Sequence, residues 1–157
     1  MISQAAVDAL RAVVGDEWFL DQPEDIATYS YDGFLPEFAP DAVLVPESAE
    51  QISQIMKIAN RERINIIPRG AGTNICGSSV AREGGVIMAF HRLNKILEID
   101  RESMCAVVQP GVVNGDLQKE VAQYNLMYPP DPASMFVSTI GGNVSLNAGG
   151  PGALSTV

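Results

Sequence analysis

Residues 64–80 read INIIPRGAGTNICGSSV, an apolar strand running into a glycine-rich loop. Ile64, Ile66 and Ile67 are β-branched and suit a buried strand. Pro68 has no N–H for a ladder and marks the end of the run, so the strand is expected to stop at Arg69. Gly70 and Gly72 open backbone angles that side chains forbid. Successive N–H groups from Gly70 through Ala71, Gly72 and Thr73 to Asn74 can then turn inward as an anion-binding nest. Thr73, Asn74, Ser78 and Ser79 add short hydrogen-bonding side chains, and the set suits a pyrophosphate. Two common phosphate loops do not fit. The pattern G-x-G-x-x-G would need glycine where Ile75 stands, and G-x-x-x-x-G-K would need lysine where Ser78 stands. Taken alone, the letters also allow a tight surface turn without a ligand.

The sequence has 157 residues, 46% of them hydrophobic, which is material for one core or for two small subdomains sharing one. Ten Lys and Arg against nineteen Asp and Glu give a net charge of −9. That charge repels nucleic acid and anionic membrane, so an anionic ligand has to be held by backbone N–H groups. Cys76 and Cys105 are the only cysteines and His91 the only histidine, so zinc and iron–sulfur sites lack ligands. Two free thiols fit a reducing compartment, and a cytoplasmic location is expected. The start, MISQAAVDALRAVVGDEWF, has Asp8 within its apolar run and no basic head. It reads as neither a signal peptide nor a membrane span.

Ser3 can cap a first helix with Val7, Leu10, Val13 and Val14 on one face, and Gly15 can end it. Residues 16–40 contain Pro23, Pro36 and Pro40 together with Tyr29-Ser30-Tyr31-Asp32-Gly33, and are expected to be irregular chain wrapping something. Residues 42–45 form a strand, and Ser48 with Gln51 forms the capping box of a helix with Ile52, Ile55, Met56 and Ala59 at helical spacing. Lys57, Arg61 and Arg63 collect towards its C-terminal end, where cations complement the dipole. The following strand completes a βαβ unit, and the glycine loop leaves a C-terminal strand edge, where open α/β sheets bind ligands. Residues 86–89 make a third buried strand. From residue 96 the pattern changes to a hairpin of residues 96–100 and 105–109, turning at Arg101-Glu102-Ser103, with Pro110-Gly111 bending out of it. Asn114 is expected to cap a helix that buries Leu117 and Val121 and runs to Gln123, before residues 125–128 return to strand. The last stretch, PPDPASMFVSTIGGNVSLNAGGP, has little periodicity. Its glycines and short polar side chains suggest a second ligand-wrapping loop, or a glycine-rich linker.

In this order, PRGAGTNICGSS, QPGV, PPDP and VSTIGGNVSLNAGGP resemble the FAD-binding domain of the vanillyl-alcohol-oxidase (PCMH-type) superfamily. The resemblance runs over about residues 29–151, in the branch of the D-lactate dehydrogenase and glycolate oxidase flavoproteins. It implies an α+β fold: a small α/β subdomain with parallel strands over residues 1–95, then a second subdomain over residues 96–157 with an incomplete antiparallel sheet, and FAD between them. By matching motif, Arg69, Gly70, Ala71, Gly72, Thr73 and Asn74, with Ser78 and Ser79, would hold the pyrophosphate, chiefly by backbone N–H groups. Pro110 and Gly111 would line the cofactor. Pro130, Asp131, Ser138, Thr139, Gly141, Gly142, Asn143, Ala148, Gly149 and Gly150 would flank the ribityl chain, adenosine and flavin ring. Thr73 fills the place where several members carry a histidine that links the flavin, so FAD is expected to be held noncovalently. His91 is expected to be structural, and Cys76 a free thiol rather than a flavin link or redox partner.

The resemblance further implies a parent oxidoreductase that passes a hydride from a 2-hydroxy acid, glycolate or D-lactate, to the flavin, with partner subunits of a flavoprotein complex. The substrate-binding and base residues would belong to a cap domain, so no catalytic residue is expected in this chain. It reads as a truncated domain, inactive by itself, whose open sheet edges favour pairing with a second copy. Two other readings stay open: a folded module that does not retain FAD, and another chemistry on the same flavin fold, such as the reductase of cell-wall precursor synthesis or an alkyl-ether lipid synthase.

Overall fold

The computed structural model describes residues 2–34 and 36–152. They divide into two units, Met1–Arg92 and Leu93–Val157. The first is built on a four-stranded sheet in the order β1 (Phe19–Leu20), β2 (Ala42–Leu44), β4 (Val86–Ala89), β3 (Ile66–Arg69). β2 and β3 both run parallel to β4, which lies between them, so the two strands of the βαβ unit are not neighbours. Alternation along these strands makes two cores. Leu44, Val86 and Met88 face Leu10 and Val14 of α1 (Gln4–Val14) and Ile55 of α3 (Ala49–Glu62), while Val43, Val45, Ile87 and Ala89 pack with Ile26 and Tyr29. Every residue of β2 and β4 is buried, as strands covered on both faces must be.

The helix signals act as the letters suggest. Ser3 accepts the N–H of Ala6, and Gly15, with φ +86°, closes α1. Ser48 accepts the N–H of Gln51, while the Gln51 amide reaches back to the N–H of Glu47 and across to the carbonyl of Val13, tying α3 to α1.

Two expectations for this unit are refined. Residues 16–40 are mostly irregular, as expected, but they also hold a 3-10 turn (Asp16–Trp18), β1, and α2 (Pro23–Ala27) with Pro23 in its first turn. β1 has two residues, too few for a visible alternation, and exists because Phe19 and Leu20 pair antiparallel with Leu44 and Val43. β3 stops at Arg69, as expected, and begins at Ile66 rather than Ile64, with Pro68 paired inside it opposite Met88. β3 is an outer strand, where a residue without an N–H is tolerated.

The second unit opens with the hairpin β5 (Ile96–Asp100) and β6 (Cys105–Val108). The Asp100 carboxylate accepts the N–H groups of Glu102 and Ser103 in its turn, and Met104 takes φ +52°. Val112, Leu117, Val121 and Ile140 form the core, joined by Ile96, Ile99, Val108, Leu126 and Tyr128. Three expectations change here. Val113, not Asn114, is the cap of α4 (Asn114–Ala122), because the Asn114 side chain is drawn inward to other partners. Residues 125–128 are not a strand: Asn125 takes φ +58° and the N–H of Leu126 returns to the carbonyl of Val121. The last stretch is not all loop, since Thr139 caps a short helix, α5 (Ile140–Ser145), through the N–H of Gly142.

Candidate functional site

The loop after β3 keeps its long side chains for itself. Arg69 is only 7% exposed, and its guanidinium donates to the carbonyls of Ser79 at 3.1 Å and Thr28 at 3.4 Å, with the Tyr29 ring 5.6 Å away. Burial lowers its pKa, an effect opposed by the carboxylate of Asp32. Of the two nest glycines, Gly72 takes φ +71° and Gly70 does not use the positive region. A Cβ on Gly72 would stand 2.6 Å from the Arg69 Cζ, so only glycine fits over the guanidinium. Asn74 is a hub: Oδ1 accepts the N–H groups of Cys76 and Ser78 and the Cys76 thiol, and Nδ2 donates to Ser79 Oγ. Ala71, Thr73 and Ser78 are exposed.

Residues 32–34 pack directly on this loop. A Cβ on Gly33 would fall 2.7 Å from the carbonyl oxygen of Asn74, and the Phe34 ring lies over Gly77, whose φ is +68°. The wrapped object of the irregular segment is therefore the loop itself. Asp32, to which the letters alone assign no role, is buried beside Ser79. Its partner lies 47 residues on, so no local pattern marks it.

In the second unit, residues far apart in sequence converge. The N–H of Gly141 donates to the carbonyl of Pro110 at 2.8 Å, and a Cβ there would meet Pro110 Cβ at 2.7 Å. The N–H of Asp131 donates to the carbonyl of Gly149, and Gly150, with φ +72°, sits where a Cβ would come within 2.7 Å of Pro132 N. Ala148 donates to the carbonyl of Asn143. Beneath them lies Asn114, fully buried: its Nδ2 donates to the carbonyl of Pro130, its Oδ1 accepts from Asn143 Nδ2, and its N–H donates to the carbonyl of Ser138. Gln118 adds a second donor to the Pro130 carbonyl at 2.9 Å. The sequence marks Asn114 only as a helix cap, not as a buried hub, and Gln118 does not stand out, since an amide within a helix looks like a solvated face.

Ser138 Oγ is a buried side-chain polar atom with no hydrogen-bond partner among the described residues, in a residue 3% exposed. Leaving such a hydroxyl unmet costs about 1–3 kcal/mol, so a polar ligand atom at this place would relieve a standing penalty. Within the second unit, this unmet hydroxyl, beside the closely packed Gly141 and Gly150, fits an oxygen-rich ligand such as FAD. A groove of about 690 Å³ elsewhere in the first unit, lined by Phe38, Asn65, Ile66, Ile67, Val80 and Arg82 among others, contains none of the expected site residues. Cys76 and Cys105 are both free and exposed. No helix among the described residues is long and apolar enough to cross a membrane.

Known proteins agree with this architecture. Residues 40–156 match the family described as FAD binding domain. The chain is 45% identical over 152 residues to the glycolate oxidase subunit GlcD of Bacillus subtilis, covering 96% of this chain and 32% of that protein. It is 37% identical over 153 residues to D-2-hydroxyglutarate dehydrogenase of Stutzerimonas stutzeri, again covering 96% of this chain and 32% of the relative. Among solved structures, an alkyldihydroxyacetonephosphate synthase superposes with a TM-score of 0.82 at 27% identity, over 91% of this chain and 31% of its own. The chain thus spans about a third of the length of the relatives it matches. The chain belongs to the FAD binding domain family, within the PCMH-type, vanillyl-alcohol-oxidase superfamily.

Proposed function

We propose that this chain is the FAD-binding part of a flavoenzyme that oxidises a 2-hydroxy acid of the glycolate or D-lactate type, and that it holds FAD noncovalently. The observation that carries the cofactor mode is the satisfaction of Arg69, Asn74 and Ser79 by partners within the first unit. With those side chains committed, the backbone N–H groups of residues 70–74 are the donors left to meet a pyrophosphate. In the second unit, Pro110, Gly111, Pro130, Asp131, Ser138, Thr139, Gly141, Gly142, Asn143, Ala148, Gly149 and Gly150 would meet the rest of the cofactor. The units Met1–Arg92 and Leu93–Val157 would then be the two subdomains of one FAD-binding domain, with their junction near residue 95.

The substrate class rests on the names of the two relatives, a glycolate oxidase subunit and a 2-hydroxyglutarate dehydrogenase. When bound, the flavin supplies the hydride-accepting chemistry; this chain binds and orients it. Thr73 offers no imidazole for a flavin link, and the Cys76 thiol already donates to Asn74 Oδ1. No side chain here is assigned the substrate's general base. A complex with other subunits is consistent with the GlcD relative, and exposed free thiols suit a cytoplasmic setting. Pairing of two copies would use the β5–β6 hairpin, since the first sheet ends in a two-residue strand on one side and in the Pro68-bearing β3 on the other.

Titration of the purified chain with FAD, followed by flavin fluorescence, tests the cofactor: saturable binding is expected, and none in a folded chain would overturn the reading. Acid precipitation of the loaded chain should leave the flavin in the supernatant; a yellow pellet would refute noncovalent attachment. In the full-length parent, reduction of the flavin by glycolate or D-lactate but not by an alkyl-ether phospholipid precursor would support the substrate class over the synthase chemistry of the structural neighbour.

A further inference from the structure

Asp32 is 4% exposed, and both its carboxylate oxygens are used. Oδ1 accepts the N–H of Phe34 at 2.9 Å, and Oδ2 accepts the hydroxyl of Ser79 at 3.1 Å. Ser79 Oγ accepts in turn from Asn74 Nδ2 at 2.8 Å. Asn74 Oδ1 then takes the N–H groups of Cys76 and Ser78 and the Cys76 thiol, each at 3.2 Å. This relay has a direction. A hydroxyl has a single proton, and an amide has one donating and one accepting end. Because the Ser79 proton goes to Asp32, its lone pair is open to Asn74 Nδ2. Because Nδ2 is held there, Oδ1 faces the three loop donors. An ionised carboxylate at the head can only accept, so it fixes the sense of every bond that follows.

We propose that Asp32 is a positioning residue of the glycine loop: acting through Ser79 and Asn74, its carboxylate orients residues 74–78 and thereby sets the cofactor affinity of the backbone donors beside them. The affinity half of this inference rests on the FAD reading; the orientation half does not. The substitution Asp32→Asn keeps the volume and reverses one bond. If the new amide turns its NH₂ towards Phe34 it confronts a fixed N–H donor, and if it turns it towards Ser79 it displaces the hydroxyl proton from its acceptor, so either way a bond at the head of the relay is lost or reversed. Ser79→Ala removes the relay while leaving the carboxylate near Arg69, so it separates the relay from the charge.

Cys76 reports on the relay without any cofactor, and Cys105, exposed in the other unit, is the internal control. The experiment is pulsed iodoacetamide alkylation of the whole chain with peptide mass spectrometry, alongside FAD titration and circular dichroism. Release of the Cys76 thiol from Asn74 should speed its alkylation about three- to tenfold in Asp32→Asn and in Ser79→Ala, with the Cys105 rate unchanged. FAD Kd should rise on the order of tenfold, because the donors are no longer preorganised. A folded Asp32→Asn chain with wild-type Cys76 rate and FAD affinity would overturn the proposal. If Asp32→Asn does not fold, Ser79→Ala decides on the same two readouts. If the unmodified chain takes up no FAD, the FAD reading fails by itself, and an unchanged ratio of Cys76 to Cys105 rates would sink the positioning role separately.

Discussion

Gly72 rests against the guanidinium of Arg69, at a φ of +71° and with room for a hydrogen but not a methyl. The glycine is thus required twice, by its backbone angle and by what lies under it. Gly72→Ala should cost about 1–3 kcal/mol of stability, part from the left-handed backbone and part from displacing a guanidinium bound to two carbonyls. In an Arg69→Ala background the added cost of the same change should fall to about 1 kcal/mol, the backbone part alone. Urea unfolding of the four chains in this cycle checks it; equal costs in both backgrounds would show that the contact is not what excludes the methyl.

Asn114 joins three segments of the second unit, yet its two side-chain bonds differ in consequence. The Pro130 carbonyl keeps Gln118 as a donor when Asn114 is lost, whereas Asn143 Nδ2 loses the buried acceptor it has. Asn114→Leu should therefore destabilise the second unit by about 2–3 kcal/mol, chiefly through the stranded Asn143 amide. Adding Asn143→Leu should cost clearly less than the sum of the single changes. Hydrogen exchange of the α4 and α5 amides resolves the effect by unit, and full additivity would refute the pairing.

These two sites show what the letters could and could not convey. The strand into Gly72, the capped helices and the hairpin were legible because each depends on neighbours in sequence: β-branched runs, Ser48 with Gln51, and the turn at residues 101–104. The stop at Arg69 was legible too, whereas the pairing of Pro68 inside β3 was not, because a missing N–H is harmless on an outer strand and sheet order is not local. β1 and the roles of Asp32 and Asn114 were illegible for the same reason, since each exists through a partner distant in sequence. In the second glycine-rich stretch the short helix hid behind Gly141 and Gly142, residues that disfavour helix and serve here for close packing on Pro110 and the Thr139 cap.

His91 gives a pH dependence of known sign. Its ring lies 6.5 Å from that of Trp18, and partial burial together with the adjacent Arg92 holds its pKa below the usual 6.5. Arg92 itself is pinned by the Trp18 ring, the Val45 carbonyl and the carboxylate of Glu47, so it stays beside the imidazole. The folded state binds fewer protons than the unfolded one between the two pKa values, so stability rises with pH across that window. His91 should contribute fully above pH about 6.5 and lose its contribution as pH falls through the lowered folded value, by a small amount because the ring is largely open to solvent. Urea midpoints of the wild-type chain should drop more between pH 7.5 and 5 than those of His91→Gln; parallel curves would remove the histidine from the account.

Ser138 should separate stability from binding. Its hydroxyl is desolvated without a partner, so in the absence of ligand Ser138→Ala removes a penalty and leaves the backbone bond to Asn114 intact. Stability should be unchanged or raised by up to about 1 kcal/mol, opposite to the usual outcome for a buried polar group. If the same hydroxyl meets a polar atom of FAD, the variant should bind the cofactor about three- to tenfold more weakly. Thermal unfolding with and without FAD reads both effects in one experiment: the alanine chain should melt at or above the wild-type temperature alone and gain less than wild type from the same FAD concentration. A loss of stability without FAD would mean that Ser138 is satisfied within the protein, and equal shifts with FAD would place the cofactor away from it.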